Sequence, residues 1–170
     1  RGLGDVYKRQ ALGMQLALLT GQRREDICEI KKLDVRDKRL WVVQGKTGAQ
    51  IAIPLDLRLD AAGLTVEDVI GKCISASEGD YLIGSDSRKA GRTPGALHPD
   101  TLTKAFVAAR KSSALQFTDA PPTFHEIRSL SGRLYEREYG KEFAQKLLGH
   151  KSMKMTDKYL DSREKEWTIL

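Results

Sequence analysis

The stretch TFHEIRSL, Thr123 to Leu130, sets a histidine and an arginine three positions apart. Thr123 followed by Glu126 has the form of a capping box, so the sequence predicts a helix beginning at Phe124. On that helix His125 and Arg128 lie about 60° apart and share a face. His125 falls in the first turn, where free backbone N–H groups and the helix dipole favour an anion. An imidazole and a guanidinium at such a place make a phosphate cradle. Ile127, Leu130 and Leu134 form a separate apolar stripe, so the polar pair is not aimed into the core. A plainer reading stays open: a surface arginine beside a histidine tied to nearby backbone. On this stretch alone the plainer reading is favoured.

The elements that must hold this pair can be read along the chain. Residues 11–19 are a largely apolar run, long enough for a buried helix, and Gly21 suits a left-handed cap. RREDICEIKKL restarts helix, with Glu25 and Asp26 in its first turn and Ile27, Ile30 and Leu33 as an apolar stripe. RLWVVQGKTGAQIAIP reads as a β-hairpin with Lys46 at its tip. Residues 64–76 read as a helix capped by Thr65, and Tyr81-Leu82-Ile83 as a short strand ended by Gly84. GSDSRKAGRTPGALHPD is turn-rich and reads as a loop exposing Arg88, Lys89 and Arg92. DTLTKAFVAARKSSAL is helical, and Pro121-Pro122 block helix before the next start. That next helix runs from Phe124 to about Tyr139, where Gly140 breaks it; KEFAQKLLG follows, closed by Gly149. Ser152 caps a last short helix holding Met155 and Tyr159, and EWTIL reads as a terminal strand.

The bulk properties bound the function. A chain of 170 residues suits one domain with a core. The longest apolar run, ALGMQLALL, is too short to span a membrane, and no stretch reads as a secretory signal. Cys28 and Cys73 lack metal-ligand spacing and read as buried free thiols in a reducing compartment. A net charge of +6 leans weakly towards an anionic partner such as nucleic acid. The first ten residues, RGLGDVYKRQ, resemble the translated read-through of a sequencing adaptor. They are expected to be a scar rather than native sequence, with the natural protein continuing upstream. They carry a net +2, so without them the +6 falls to +4.

Four motifs, TGQRRED, GKTG, TFHEIR and LLGHKSMKMTDKYL, occur in this order at domain-scale spacing. With CEIK, KTGAQIAIP, PPTFHEIRSLSGRLYE, FAQKLLGHKS and REKEW, they resemble the catalytic domain of the tyrosine recombinases, or phage integrases. The resemblance covers most of residues 11–170. It implies an α+β, mainly helical domain with a small antiparallel sheet or hairpin, its upstream DNA-binding domains lying outside this chain. It implies Arg23 and Arg128 as the two catalytic arginines, Lys46 as the hairpin lysine, and His125 and His150 as the two histidines. Tyr159 would be the nucleophile, and Asp26 a supporting acid. Arg24 and Glu25 depart from the family pattern, between catalytic positions.

The activity implied is site-specific recombination through a covalent 3′-phosphotyrosyl link, for integration or excision of phage DNA. No cofactor is expected: the arginines take the role of a metal, and no Asp/Glu cluster suggests magnesium binding. The implied partners are double-stranded DNA at attachment sites, a homotetramer formed on it, an excisionase and a host DNA-bending protein. The implied location is the cytoplasm of a bacterial host. Two rivals stand beside this reading. A type IB topoisomerase shares the tyrosine chemistry but usually has Lys where His125 stands. A catalytically silent, DNA-binding prophage remnant would keep the fold without turnover.

Overall fold

A computed structural model describes residues 3–85, 95–150 and 167–170. Its centre is helix α1 (Leu3–Thr20), whose Leu12, Leu16 and Leu19 are buried. The helix starts well before the expected residue 11, because nothing in residues 3–10 breaks it. It stops as expected at Gly21, which takes φ +66° while its N–H bonds the Ala17 carbonyl at 2.9 Å. Packed on α1 are α3 (Val66–Ala76), α4 (Pro99–Ser112) and α5 (His125–Tyr139). A further helix, α6 (Lys141–Leu147), packs on α5.

Helix α2 (Arg24–Glu29) is shorter than the sequence predicts. Ile30 turns extended, and its carbonyl accepts the Leu82 N–H at 2.9 Å, beside a β-bridge between Lys31 and Tyr81. Pairing with that segment replaces the helical continuation. Ile27 and Ile30 are buried as the stripe requires, but Leu33 is left 66% exposed. The same pairing leaves Tyr81 only a bridge, and the expected strand there appears instead at Gly84–Ser85, paired with Gly95–Ala96.

Four strands form the main sheet: β1 (Val35–Arg36), β2 (Arg39–Val43), β3 (Gln50–Pro54) and, at its edge, Trp167–Ile169. The predicted hairpin is β2 and β3, antiparallel in the register Val43↔Gln50 to Arg39↔Pro54. Leu40, Val42, Ile51 and Ile53 from these strands are buried in the core. The terminal strand pairs parallel with β3, so the sheet is mixed rather than wholly antiparallel. Arg88, Lys89 and Arg92, and the predicted last helix with Ser152 and Met155, lie outside the described residues.

The buried face of α5 is not the apolar stripe expected. Arg128, Ser131, Gly132 and Tyr135 are buried, whereas Leu130 is 41% exposed and Ile127 and Leu134 are half-buried. Small residues decide this. A side chain on Gly132 would come 3.0 Å from Leu148, so α6 reaches α5 at its Ser131-Gly132 step. Tyr135 closes the same face, and its hydroxyl donates to the Leu19 carbonyl at 2.6 Å.

Gly21 is the junction of these contacts. A Cβ there would meet Leu148 Cδ2 at 2.9 Å, on a backbone already in the left-handed region. Gly21→Ala should therefore lower stability by at least ~1–2 kcal/mol, from the αL cost alone. A urea denaturation midpoint measures it; an unchanged midpoint contradicts the packing described.

Candidate active site

Arg23 caps α2 and stands two residues past Gly21, so the end of α1 fixes where it emerges. Its Nη1 donates to Gln44 Oε1 at 3.2 Å. Arg128, in the first turn of α5, is 6% exposed. Its Nη1 donates to the Gly21 carbonyl at 2.7 Å and its Nη2 to the Leu148 carbonyl at 2.6 Å. Burial, and then the charge of Arg23, bring the Arg128 pKa down to about 10, with Asp26 opposing. Arg128 is still a cation at neutral pH.

His125 is exposed on the first residue of α5. The start of that helix is set from two sides. Phe124 is buried with its ring 6.0 Å from Phe106 of α4, and the Arg110 guanidinium donates to the Pro122 carbonyl at 2.5 Å. The capping box forms only in part. The Thr123 N–H donates to the Glu126 carboxylate at 2.7 Å, but the Thr123 hydroxyl donates to that carboxylate too instead of capping the backbone. The helix accordingly begins at His125, one residue later than predicted.

Arg23, Arg128 and His125 line one cavity of about 320 Å³, shared with Arg24, Thr103 and Thr123. Arg24, one of the two departures, is tied to α4 through Thr103 Oγ1 at 2.6 Å and Asp100 Oδ1 at 3.3 Å.

Lys46 is exposed at the hairpin tip and does not line the cavity. The tip closes through Gln44 N–H to the Ala49 carbonyl at 2.8 Å and Gly48 N–H to the Gln44 carbonyl at 2.7 Å. Asp26 anchors it: its Oδ1 accepts the Gly45 N–H at 2.8 Å. Burial raises the Asp26 pKa, against that N–H and the Arg23 charge, which lower it. Its Oδ2 is buried with no hydrogen-bond partner among the described residues.

His150 follows Gly149, which takes φ +68° after α6, and its N–H bonds the Gln145 carbonyl at 3.0 Å. Its pKa is lowered by partial burial, then by Arg128 and Arg23. His150 thus shares the field of both arginines without lining the cavity. Tyr159 lies outside the described residues.

Sequence reasoning passed over Gln22 and Gln44, both buried. The signal was present for the second: Leu40, Val42 and Gln44 alternate along β2, so period-two reading sends Gln44 inward. Among the described residues no three His, Cys, Asp or Glu side chains are grouped to hold a metal ion, and no helix is long and apolar enough to cross a membrane.

A profile of the phage integrase family matches residues 4–166. The chain belongs to the phage integrase family. It is 46% identical over 156 residues to the integrase of Escherichia phage lambda, covering 92% of this chain. It spans only 42% of that relative's length. The structure is similar to the lambda integrase catalytic core with a TM-score of 0.79 and 40% identity, over 97% of this chain and 92% of that one. It is also similar to lambda integrase in a tetramer bound to a Holliday junction, with a TM-score of 0.77 and 41% identity, over 95% of this chain and 47% of that one. The mainly helical fold with small sheets is therefore that of the lambda integrase catalytic core.

The field of the arginines gives a test of this integrase site. A base whose pKa is lowered by the fold is kept neutral, and its stabilising contribution is lost as pH falls through the lowered value. The His150 imidazole should titrate below the ordinary value of about 6.5. Arg23→Ala should move its NMR midpoint upward; an unmoved midpoint would show that the charge of Arg23 does not reach it.

Proposed function

We propose that this chain is the catalytic part of a site-specific recombinase that cuts and rejoins double-stranded DNA through a 3′-phosphotyrosyl intermediate. The observation that carries the reading is the convergence of Arg23 and Arg128 on one cavity, each held by uncharged acceptors. Neither charge is cancelled by a carboxylate hydrogen-bonded to it among the described residues. Both remain available to an anion, and a planar guanidinium presents paired N–H donors that suit phosphate oxygens.

In this reading the Tyr159 oxygen attacks the scissile phosphorus, an O–P bond forms, and the bond to the 5′ oxygen breaks. The departing 5′ oxygen takes a proton from Lys46, whose place at the exposed tip lets it swing to the DNA. His125 takes the tyrosine proton or shuttles it, being solvent-facing at the cavity. His150, kept neutral, hydrogen-bonds the phosphate. Asp26 supports the site by fixing the base of the hairpin. The phosphotyrosyl link retains the energy of the cleaved bond, so a 5′ hydroxyl from another strand can reverse the step without ATP. Arg23 and Arg128 stabilise the charge that develops on the non-bridging oxygens.

The wider setting is part of the proposal. Lambda integrase is known as a tetramer on a Holliday junction. We infer a homotetramer on attachment-site DNA for this chain too, serving phage integration and excision in a bacterial cytoplasm, with an excisionase and a DNA-bending host protein as partners. Residues 11–170 are read as the native catalytic domain, continued upstream by DNA-binding domains, and residues 1–10 as a scar. Sequencing the genomic locus tests that boundary.

The nucleophile is tested with a suicide substrate carrying the matching core site. Tyr159→Phe should abolish the covalent protein–DNA adduct on a denaturing gel; a surviving adduct assigns the nucleophile elsewhere. The arginines should separate. Arg23→Ala should slow adduct formation about 10²–10³-fold, by analogy with deletion of an oxyanion-hole donor. Its stability should stay within about 1 kcal/mol of the parent, since one hydrogen bond is lost. Arg128→Ala should lose activity and also ~1–3 kcal/mol of stability, because it strands the buried Gly21 carbonyl. Equal stabilities for the two variants would contradict the burial difference.

A further inference from the structure

We propose that Gln44 is a positioning residue for strand cleavage: it aims Arg23 with an uncharged acceptor while joining the lysine hairpin to the end of α6. The inference rests on the reading of Arg23 as a phosphate ligand.

Gln44 is fully buried, directly after β2, and all the hydrogen-bonding capacity of its amide is used. Its Oε1 accepts from Arg23 Nη1 at 3.2 Å and from Thr47 Oγ1 at 2.8 Å. Its Nε2 donates to Gln22 Oε1 at 2.7 Å and to the Leu148 carbonyl at 3.1 Å. One side chain thus touches the first arginine, the residue after Lys46, and the carbonyl two residues before His150. That carbonyl is the one that also receives Arg128.

The direction of the amide is determined, not arbitrary. Gln22 Nε2 faces two carbonyls, Thr20 at 2.8 Å and Leu147 at 2.9 Å, neither of which can donate. The Gln22 oxygen must therefore face Gln44, which turns the Gln44 NH₂ towards Gln22 and its oxygen towards Arg23. Backbone carbonyls at the ends of α1 and α6 set the polarity of the whole relay. Gly149 completes the seat: a Cβ there would lie 2.7–2.9 Å from the Gln44 amide atoms.

The choice of amide over carboxylate has a chemical consequence. A glutamate would accept from Arg23 and Thr47 equally well, but it would cancel the charge that the phosphate is to meet. It would also set an oxygen against Gln22 Oε1 and the Leu148 carbonyl. Gln44 orients Arg23 and leaves its charge intact.

The test is single-turnover adduct formation on the suicide substrate, across DNA concentrations, with thermal melts of each variant. Gln44→Glu should reduce the maximal rate at least about tenfold, the worth of one impaired charged contact in the transition state. The half-saturating DNA concentration should move less than about threefold, because the group acts on the reacting state and not on uniform binding. On a substrate with a methylphosphonate at the scissile position, which carries one charge fewer, the Gln44→Glu deficit should shrink to within about threefold. A deficit of the same size on both substrates would mark a merely structural role and overturn the proposal. So would a Gln44→Glu rate equal to that of the unaltered protein. If Gln44→Glu does not fold, Gln44→Met removes the acceptor without adding charge; a maximal rate unchanged from the parent then overturns the proposal. All variants are made in the protein carrying its upstream DNA-binding domains; no adduct from that unaltered protein would refute the recombinase reading itself, and this inference with it.

Discussion

The buried guanidinium of Arg128 is the contact on which the other parts of the site depend. Taking a cation out of water is costly, and among the described residues that cost is met without a hydrogen-bonded carboxylate. The two acceptors are Gly21 and Leu148, the carbonyls that close α1 and α6. Helix C-termini carry partial negative charge and unpaired carbonyls, so two of them facing one guanidinium supply both hydrogen bonds and field. In return Arg128 satisfies the Gly21 carbonyl and shares the Leu148 carbonyl with Gln44. It thereby pins two chain ends: the one that delivers Arg23 and the one that delivers His150. The lowered pKa of Arg128 records what burial and the neighbouring arginine cost.

From this pin the hairpin takes its place. Gln44 bonds the same Leu148 carbonyl, and Asp26 holds the Gly45 N–H, so the base of the tip is held from two sides. The tip itself, with Lys46, stays exposed. The group proposed to reach a leaving oxygen is thus carried on a short exposed turn whose origin is fixed. Reach comes from the lysine stem and the turn, while the strands remain in register with the core.

What could be read in the sequence was whatever depends on local chemistry. Pro121-Pro122 and the Thr123–Glu126 pair locate the start of α5 to within one residue, and Gly21, Gly140 and Gly149 locate three helix ends. The alternation in β2 and β3 locates the hairpin and hence Lys46. What could not be read depends on long-range partners. Helix α2 stops at Glu29 because a segment about fifty residues away pairs with Ile30 and Lys31, far outside the roughly 11–18-residue window in which periodicity is read. The face of α5 was misjudged for the same reason. An arginine counts as polar in any periodicity argument, yet here it is buried because its acceptors lie 107 and 20 residues away. Family resemblance supplied the pairing of Arg23 with Arg128; the residues alone did not.

The helix ends also explain how one small region can present several cations without coming apart. The C-termini of α1 and α6 back Arg128 from inside, while the N-terminus of α5 opens on the cavity beside His125. Negative helix ends therefore face the cation that is buried, and a positive helix end faces the space an anion would fill. Burial and then the charge of Arg23 depress the Arg128 pKa, and burial and then both arginines depress that of His150, so part of each shift is opposition between neighbouring cations. In the proposed reading an anion between the arginines would relieve that opposition, so the repulsion would work as a bias towards binding phosphate and not as simple strain. Neutral orienting groups are the condition for this. With a carboxylate in place of Gln44 the opposition would be relieved within the protein, and much of the reason to bind phosphate would go with it.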